Sequence, residues 1–315
     1  LNYLQINLVV PKVNFIFFIL YYIGVYFIYK GKWKTIFYLI FLVISVKILP
    51  FLNSNTYVYF LDVGQGDSTL IVGSHGNYAM LIDTGGKIKF EQEDWEVRNK
   101  EYDGASNIIT FLKSLGITKL DLLVGTHGDA DHMGEAINLV NNFAVDKVVF
   151  NKGSYNDLEK SLIQVLEKKN IPYFQNLSEI NLGNNKFYFL NDKEFGDENN
   201  NSLVMYTNME GFKFLFMGDA GVEVENYLRE KYNLLNIDVL KVGHHGSKTS
   251  SSLEFINWIS PIYAIISVGR NNRYGHPNME VLKNLDNSFI YRTDLNGSIS
   301  FILNKENISI KTYEP

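Results

Sequence analysis

The feature that most constrains this chain is a group of metal-capable side chains in residues 126–132, which read THGDADH. Two His and two Asp occur there within six residues, directly after an apolar run that predicts a buried strand. Groups packed this closely repel one another or exchange protons unless a cation binds them. Because sites are commonly built on loops at strand ends, the loop is predicted to be a metal site rather than a solvated polar turn.

Composition limits which ligands and partners are possible. The chain has no cysteine, so thiolate ligands, Cys nucleophiles and disulfides are excluded, and His and carboxylates remain as the strong ligands. Residues 51–315 carry 24 Lys and Arg against 34 Asp and Glu, a formal charge of −10. A broad basic surface for a polyphosphate backbone is therefore not expected. Any phosphate-bearing substrate has to be held locally.

Two apolar stretches near the start of the sequence predict membrane helices. Residues 13–29 are uncharged and residues 35–52 are interrupted only by Lys47, so each has roughly the 17–25 residues that a bilayer requires. A secretory signal peptide is the alternative for the first stretch, but no small-residue cleavage site follows it. We therefore interpret residues 1–52 as a transmembrane helical hairpin that precedes a single domain at 53–315.

The lysines around this hairpin predict its orientation. The loop of residues 30–34 holds three lysines and should stay in the cytoplasm, because positively charged loops tend to remain on that side. This orientation puts residues 53–315 outside the cytoplasmic membrane. Lys12 and Lys47 favour the opposite orientation, so the prediction depends on the clustering of charge in the loop.

From residue 57 the pattern changes to short β runs separated by Gly and Asn, with helical periods between them. Strands are predicted at 57–63, 68–73, 78–86, 120–126, 147–150, 186–191, 202–207, 212–219, 238–243, 263–269 and 298–303. Helices are predicted at 105–115, 155–169, 221–232, 252–258 and 278–285, and a polar insertion occupies 87–104. Many strands with interspersed helices indicate α/β or α+β layering around sheets.

The pattern His-x-Asp-x-Asp-His resembles the metallo-β-lactamase superfamily signature His-x-His-x-Asp-His, with Asp129 in place of the second His. This variant is similar to the C-terminal hydrolase domain of the ComEC competence-protein family. Further shared segments follow in the family's order: FLDVGQGDS (60–68), LIDTGG (81–86), NNNSLV (199–204), FLFMGDA (214–220), DVLKVGHHGSKTSS (238–251) and YGHPN (274–278). The resemblance implies that residues 53–315 form an αββα four-layer sandwich, preceded by the transmembrane helical hairpin.

The resemblance also implies a centre with two divalent cations, zinc or manganese. We assign the ligands to two groups, namely His127, Asp129 and His245 for one cation and Asp131, His132 and His276 for the other, with Asp219 between them. His244 is assigned to protonate the leaving group, and Asp131 to orient the nucleophile. This chain has NNNS where the superfamily usually has a further His, so the second imidazole of the pair is an alternative ligand. Carboxylates in place of imidazoles favour manganese over zinc.

Other polar residues in the shared motifs are expected to support the ligands or contact substrate: Asp62, Gln65, Asp67, Asp83, Asn199, Ser202, Ser247, Lys248, Thr249 and Ser250. Asp83 is expected to fix the tautomer of a ligand His. The group at 247–250 lies at the start of a predicted helix, where N–H groups and a Lys suit a phosphate, although helix capping alone would explain Ser250. Arg270 and Arg273 either clamp a phosphate or are solvated.

These residues imply a metal-dependent hydrolase of phosphoesters. We interpret the chain as a nuclease or phosphodiesterase anchored in the cytoplasmic membrane and acting outside it on DNA, with single-stranded DNA the expected form. One alternative is a fragment or reduced paralogue of a ComEC-type DNA-uptake transporter, which would work with the competence machinery. Another is a phosphodiesterase on a non-nucleic substrate such as a phosphocholine-bearing glycan. Hydrolysis of β-lactams is not expected, because the branch with Asp129 is not the antibiotic-hydrolysing one.

Overall fold

The computed structural model describes residues 11–13, 15–86, 103–233, 237–305 and 307–314. Most of the predicted polar insertion, residues 87–102, lies outside the described residues. The helices are α1 (Phe15–Tyr29), α2 (Thr35–Leu52), α3 (Gly104–Ser114), α4 (Ala130–Met133), α5 (Ala136–Asn142), α6 (Asp157–Lys168), α7 (Val222–Lys231), α8 (Leu253–Ile259), α9 (Met279–Asn284) and α10 (Thr293–Asn296).

The strands form two large sheets and one small one. They are β1 (Thr56–Phe60), β2 (Thr69–Val72), β3 (Ala79–Ile82), β4 (Lys119–Leu120), β5 (Leu122–Val124), β6 (Ala144–Val145), β7 (Val148–Val149), β8 (Tyr173–Phe174), β9 (Glu179–Leu182), β10 (Asn185–Phe189), β11 (Met205–Met209), β12 (Phe212–Phe216), β13 (Val239–Lys241), β14 (Tyr263–Ile266), β15 (Phe289–Arg292), β16 (Ile299–Leu303) and β17 (Ile308–Thr312). The first sheet has the order β17-β16-β1-β2-β3-β5-β7-β8, and the second has the order β15-β14-β13-β12-β11-β10-β9. Strands β4 and β6 pair separately.

Apolar side chains divide the domain into four layers. In β1, Val58 and Phe60 lie in the core between the two sheets, whereas Tyr59 packs against Phe111 of α3 with ring centroids 5.2 Å apart. Successive side chains of a strand point to opposite faces, so one short strand contributes to two cores. A second cluster joins the first sheet to α3, α5 and α6, and a third joins the second sheet to α7, α8 and α9. The order helix, sheet, sheet, helix confirms the predicted αββα sandwich.

The two N-terminal helices form a hairpin outside these layers. Gly24 lets them approach closely, because a Cβ at that position would lie 2.4 Å from an α2 side chain. By length and composition α2 could cross a membrane, and α1 is a shorter apolar helix. The end of α2 is tied to the domain by His75, whose N–H donates to Asn53 O at 2.6 Å and whose Nδ1 lies 2.9 Å from Phe51 O. His75, which belongs to no sequence motif, therefore caps α2.

Candidate metal centre

The loops that follow parallel strands carry the predicted ligands to one edge of the sandwich. In the first sheet, β3 and β5 run parallel and are followed by Asp83 and His127. In the second sheet, β12 and β13 run parallel and are followed by Asp219 and by the pair His244 and His245. Parallel strands end at the same edge of a sheet, and ligands commonly bind beyond their carboxyl ends. The short helix α4 brings the rest of the THGDADH segment to this edge.

Asp219 lies at the middle of the site. One potential ligand atom from each of Asp67, His132, Asp219 and His245 lies within 4.8 Å of the others, and all four side chains are buried. Oδ1 of Asp219 lies 3.1 Å from Nε2 of His132, and its Oδ2 lies 3.6 Å from Nε2 of His245. The Nε2 atom of His127, another buried residue, is 3.9 Å from the same Oδ2. One carboxylate thus faces three buried imidazoles.

Five buried atoms of these residues have no hydrogen-bond partner within the described part of the chain: Asp67 Oδ1, His127 Nε2, His132 Nε2, Asp219 Oδ1 and His245 Nε2. A buried polar atom without a partner costs about 1–3 kcal/mol, and native folds keep few of them. All five belong to side chains that bind divalent cations. The residues therefore fit a metal centre, in which cations would take the place of the missing partners.

The carboxylates and imidazoles change one another's protonation. Burial alone would lower the pKa of His245, but Asp219 and the neighbouring carboxylates raise it to about 10. The pKa of His132 is raised well above its usual range by Asp219 and Asp83, also against the effect of burial. Burial would raise the pKa of Asp219, but His132 and His245 hold it well below its usual range. In the metal-free protein, protons on His132 and His245 thus balance the carboxylates, and cations must displace them.

The distances divide the predicted ligands differently from the sequence-based assignment. His245 Nε2 lies 3.3 Å from Asp131 Oδ2, whereas His127 Nε2 lies 3.6 Å from Asp129 Oδ2. These distances put His245 beside Asp131, whereas the sequence groups it with His127 and Asp129; the assignment of ligands to each cation stays a prediction. His244 Nε2 lies 3.8 Å from Asp219 Oδ2.

His276, predicted to complete the second group of ligands, contacts His244 from outside the cluster. Its ring packs against that of His244, with centroids 5.9 Å apart. It does not belong to the cluster of four residues with ligand atoms within 4.8 Å, as far as the described residues show. The structure thus places His244 between His276 and Asp219.

Asp83 fixes the orientation of His132. Its carboxylate accepts hydrogen bonds from the N–H of Thr126 at 2.8 Å and from the Thr126 hydroxyl at 2.6 Å. Its Oδ2 also lies 2.8 Å from Nδ1 of His132. An acceptor at this distance keeps the proton on Nδ1 and leaves Nε2, the atom facing Asp219, able to bind a metal. This is the position expected for a residue that sets a ligand tautomer.

Asp67 reaches the centre together with a partner that the sequence analysis missed. Lys241 Nζ lies 2.7 Å from Asp67 Oδ2, and both side chains are buried. Although burial would raise the pKa of Asp67, Lys241 and His245 hold it well below its usual range. The available signal was a Lys inside the apolar run DVLKVG, because a buried Lys needs a partner of opposite charge. Gly66 permits the approach, since a Cβ there would lie 2.1 Å from Asp131 O.

The NNNS segment contacts the backbone of Asp219 and the ring of His127. Ser202 Oγ accepts a hydrogen bond from the N–H of Asp219 at 3.0 Å and lies 3.3 Å from Nδ1 of His127. The N–H of Ser202 in turn donates to Asn199 O at 3.0 Å. A serine hydroxyl thus joins Asp219 to His127 in the segment where the superfamily usually has a ligand.

The turn at 247–250 does not present the start of a helix. Helix α8 begins only at Leu253, and the Glu225 carboxylate already accepts hydrogen bonds from the N–H groups of Ser251 and Ser252. The two N–H groups that directly precede this helix thus already have a carboxylate partner, and phosphate binding at 247–250 stays a prediction.

The side chains of this turn have separate roles. Thr249 Oγ1 lies 3.3 Å from Nδ1 of His244 and 3.0 Å from Ser247 Oγ. Ser250 is buried and its hydroxyl donates to Gly243 O at 2.7 Å, so its role is structural. Lys248 is exposed. Thr249 is therefore the residue of this turn that holds an imidazole of the site.

The remaining predicted residues lie at the border of the site. Asp62 is exposed, and its Oδ1 accepts a hydrogen bond from the N–H of Gly64 at 3.1 Å. Gln65 Oε1 accepts a hydrogen bond from the N–H of Gly269 at 3.2 Å. Gln65 thus connects its own loop to the loop that carries His276, whereas Asp62 shapes a turn.

The family model that matches this chain is the metallo-beta-lactamase superfamily, over residues 61–270. The chain belongs to this superfamily. Among solved structures, a CmlA beta-hydroxylase superposes with a TM-score of 0.50 at 13% identity, covering 79% of this chain and 54% of that chain. A likeness at this identity supports the fold alone.

Competence proteins are among the curated relatives. The chain is 34% identical to ComE operon protein 3 of Bacillus subtilis (strain 168) over 280 residues, which are 85% of this chain and 36% of the relative. It is 29% identical to competence protein ComA of Neisseria gonorrhoeae over 262 residues, 78% of this chain and 32% of the relative. The predicted resemblance to the ComEC family is confirmed. The chain spans about a third of the length of these relatives.

Proposed function

We propose that this chain is a dinuclear metal-dependent phosphodiesterase, anchored in the cytoplasmic membrane, that hydrolyses DNA on the outer side. The observation that carries the proposal is the convergence of buried, unpaired ligand atoms around Asp219. Two divalent cations bound there would act as Lewis acids on the phosphoryl oxygens and lower the pKa of an attacking water.

The distances support a division of the ligands around Asp219 into two groups. One group is His127 and Asp129, and the other is Asp131, His132 and His245. Each group combines at least one imidazole with a carboxylate in addition to Asp219, and Asp67 adds another carboxylate beside His245. A centre this rich in carboxylates favours manganese over zinc.

Residues at the open side of the centre would orient the reactants. Asp131 is 13% exposed and lies beside His245, so it can accept a hydrogen bond from an attacking water. A cavity of about 450 Å³ is bordered by Asp219, His244 and Thr249. The leaving alkoxide would lie there, within reach of His244 Nε2. Because Thr249 contacts the other ring nitrogen, His244 is held in position to deliver a proton.

DNA is the proposed substrate because the relatives are named competence proteins. The domain is acidic overall, so substrate phosphates would be held by the centre and a few nearby cations such as Lys248 and Arg270, which are exposed. A second candidate is a part of a larger DNA-uptake transporter. The observation that favours it is the difference in length, since the relatives are about three times as long as the matched region.

Membrane anchoring is supported by the surface of the hairpin. Large apolar side chains cover its outer faces: Phe15 is 77% exposed, Phe41 69% and Leu52 70%. Contiguous exposed apolar surface of this kind requires a partner or a lipid environment. The lysines at 30–34 favour a cytoplasmic loop, which puts the metal centre outside. Protease added to intact cells should therefore digest residues 53–315, and their protection, with cleavage in a permeabilised control, would overturn this orientation.

The hydrolase proposal is tested by activity of the purified full chain in detergent, with Mn²⁺ and Zn²⁺ supplied singly. We expect hydrolysis of single-stranded DNA in the presence of Mn²⁺, and no hydrolysis by an Asp219→Ala variant measured in parallel. A phosphocholine diester serves as the competing substrate. Hydrolysis of that diester without hydrolysis of DNA would replace the proposed substrate. If neither substrate is hydrolysed in a metal-dependent way, the proposed hydrolase activity is refuted.

A further inference from the structure

An aromatic ring lies at the edge of the metal centre with one face accessible. Tyr274 is 51% exposed, and its ring stacks on that of His276 with centroids 5.7 Å apart and planes 15° apart. His276 contacts His244, which contacts His245 with centroids 6.3 Å apart. Successive ring contacts thus connect Tyr274 to the cluster around Asp219.

The loop that carries Tyr274 is closed by its own hydrogen bonds. Asn272 Nδ2 donates to His276 O at 2.7 Å, and the N–H of His276 donates to Asn272 Oδ1 at 3.0 Å. The same loop is tied to the other side of the site through Gly269 and Gln65. Tyr274 is therefore presented in one orientation before a ligand arrives, which lowers the entropy lost on binding.

The surroundings of the ring suit a flat group attached to a phosphate. A Cβ on the adjacent Gly275 would meet no atom within 4 Å, so there is open space beside Tyr274. Arg270 and Arg273 lie on the same loop and are exposed, and Arg270 Nε donates to Asp294 O at 3.1 Å. A single exposed aromatic is ordinary on a protein surface. An aromatic that stacks on His276 at the edge of the metal centre, in a loop that also carries two exposed arginines, indicates a binding position.

We propose that Tyr274 is a stacking platform for a nucleobase of single-stranded DNA, on the side of the centre where His244 lies. The proposal rests on the proposed function and names the form of its substrate. Every base has a π face, so the platform accepts any sequence, but it requires a base that is unpaired. It selects single strands over duplexes without relying on a broad basic surface.

The platform is tested by fluorescence anisotropy of labelled oligodeoxythymidylate and of an abasic oligonucleotide of equal length, using the full chain without added metal. Tyr274→Ala should bind the thymidylate strand roughly 5- to 150-fold more weakly, the range that corresponds to one stacked base. Its affinity for the abasic strand should be unchanged. Tyr274→Trp should retain the preference for bases. Tyr313→Ala is the matched control, because Tyr313 is also 51% exposed.

The outcomes separate this proposal from the proposed function. Equal affinity of the wild-type chain for the two strands, or an unchanged preference in Tyr274→Ala, would overturn the platform even if DNA is hydrolysed. A preference that is lost in Tyr274→Ala and kept in Tyr313→Ala supports the platform, whatever the result of the hydrolysis assay.

Discussion

Replacing Asp83 by Asn tests how the fold fixes the metal-binding tautomer of His132. An amide has the shape of a carboxylate but offers one donor and one acceptor group in place of two acceptors. In the wild-type site the carboxylate accepts from Thr126 and lies 2.8 Å from His132 Nδ1. If the NH₂ group takes the Oδ2 position, Nδ1 has to become an acceptor. The imidazole proton then moves to Nε2, which can no longer bind a metal.

The size of the effect follows from these contacts. In the other orientation of the amide, its NH₂ group faces the N–H of Thr126, and a buried hydrogen bond is lost at a cost of about 1–3 kcal/mol. Loss of a partner that orients a ligand His lowers metal affinity roughly 10- to 100-fold, or about 1.4–2.8 kcal/mol. We therefore expect Asp83→Asn to fold with reduced stability and to bind its metals 10- to 100-fold more weakly.

Calorimetric titration of the metal-free protein with Mn²⁺ measures the affinity, and thermal unfolding measures the stability. Asp121→Asn is the matched control, because Asp121 also accepts a backbone N–H, from Ala79 at 2.8 Å, but at the opposite end of β3. Unchanged metal affinity in a folded Asp83→Asn variant would refute the tautomer argument. An equal loss in the control would show that the effect is not specific to His132.

Four further variants test the centre and its surroundings. Asp219→Ala should leave fewer than two metals per chain by elemental analysis; two retained metals would exclude the bridging role. His245→Ala should lower metal content, whereas His244→Ala should keep the metals and slow turnover roughly 10²–10⁴-fold. A nitrophenyl diester, whose leaving group needs no proton, should restore the turnover of His244→Ala. The reverse pattern would exchange the roles of the two histidines. Burial raises the pKa of Glu159 from 4.5 to about 7. The stability that this pKa shift contributes is fully present below pH 4.5 and is lost as the pH rises through 7. Glu159→Gln should therefore gain about 1–3 kcal/mol over the wild type between pH 5 and 8 in urea unfolding of the metal-free protein, and parallel pH profiles would contradict this.

The sequence pattern predicted the helices and strands that have a clear apolar periodicity. It missed the strands that form only because they pair with a neighbouring strand. All strands and helices predicted after residue 57 have counterparts in the structure. The missed strands β8, β9, β15 and β17 are the outermost strands of the two large sheets, and the missed strand β6 pairs with β4. Each is paired with a single neighbour, so tertiary context decides whether such a segment becomes a strand. Helix α5 was missed because it has only seven residues, too few to show a clear helical periodicity.

Most of the residues that the structure brings together at this edge could be predicted, but which of them are neighbours could not. Short motifs place Asp131 and Asp219 at strand ends, and the chemistry of their side chains indicates metal binding. Whether His245 lies beside Asp131 or Asp129 depends on distances of 3.3–3.6 Å set by two different sheets. Lys241 was missed for the same reason, since its carboxylate partner is 174 positions earlier in the chain. Motifs of one segment contain no information on such distances.

The backbone at the histidine pair shows why the fold around the centre must be rigid. His244 and His245 have φ values of 47° and 52°, in the left-handed region that costs a non-Gly residue roughly 1–2 kcal/mol. Surrounding contacts hold both there: the N–H of His244 donates to Gly218 O at 3.1 Å, and His245 Nδ1 lies 2.9 Å from Ser267 O. In an extended strand, neighbouring side chains would point to opposite faces. The left-handed turn instead brings both imidazoles within 4 Å of one carboxylate oxygen of Asp219. The strain is thus the structural condition for two adjacent histidines to serve one centre.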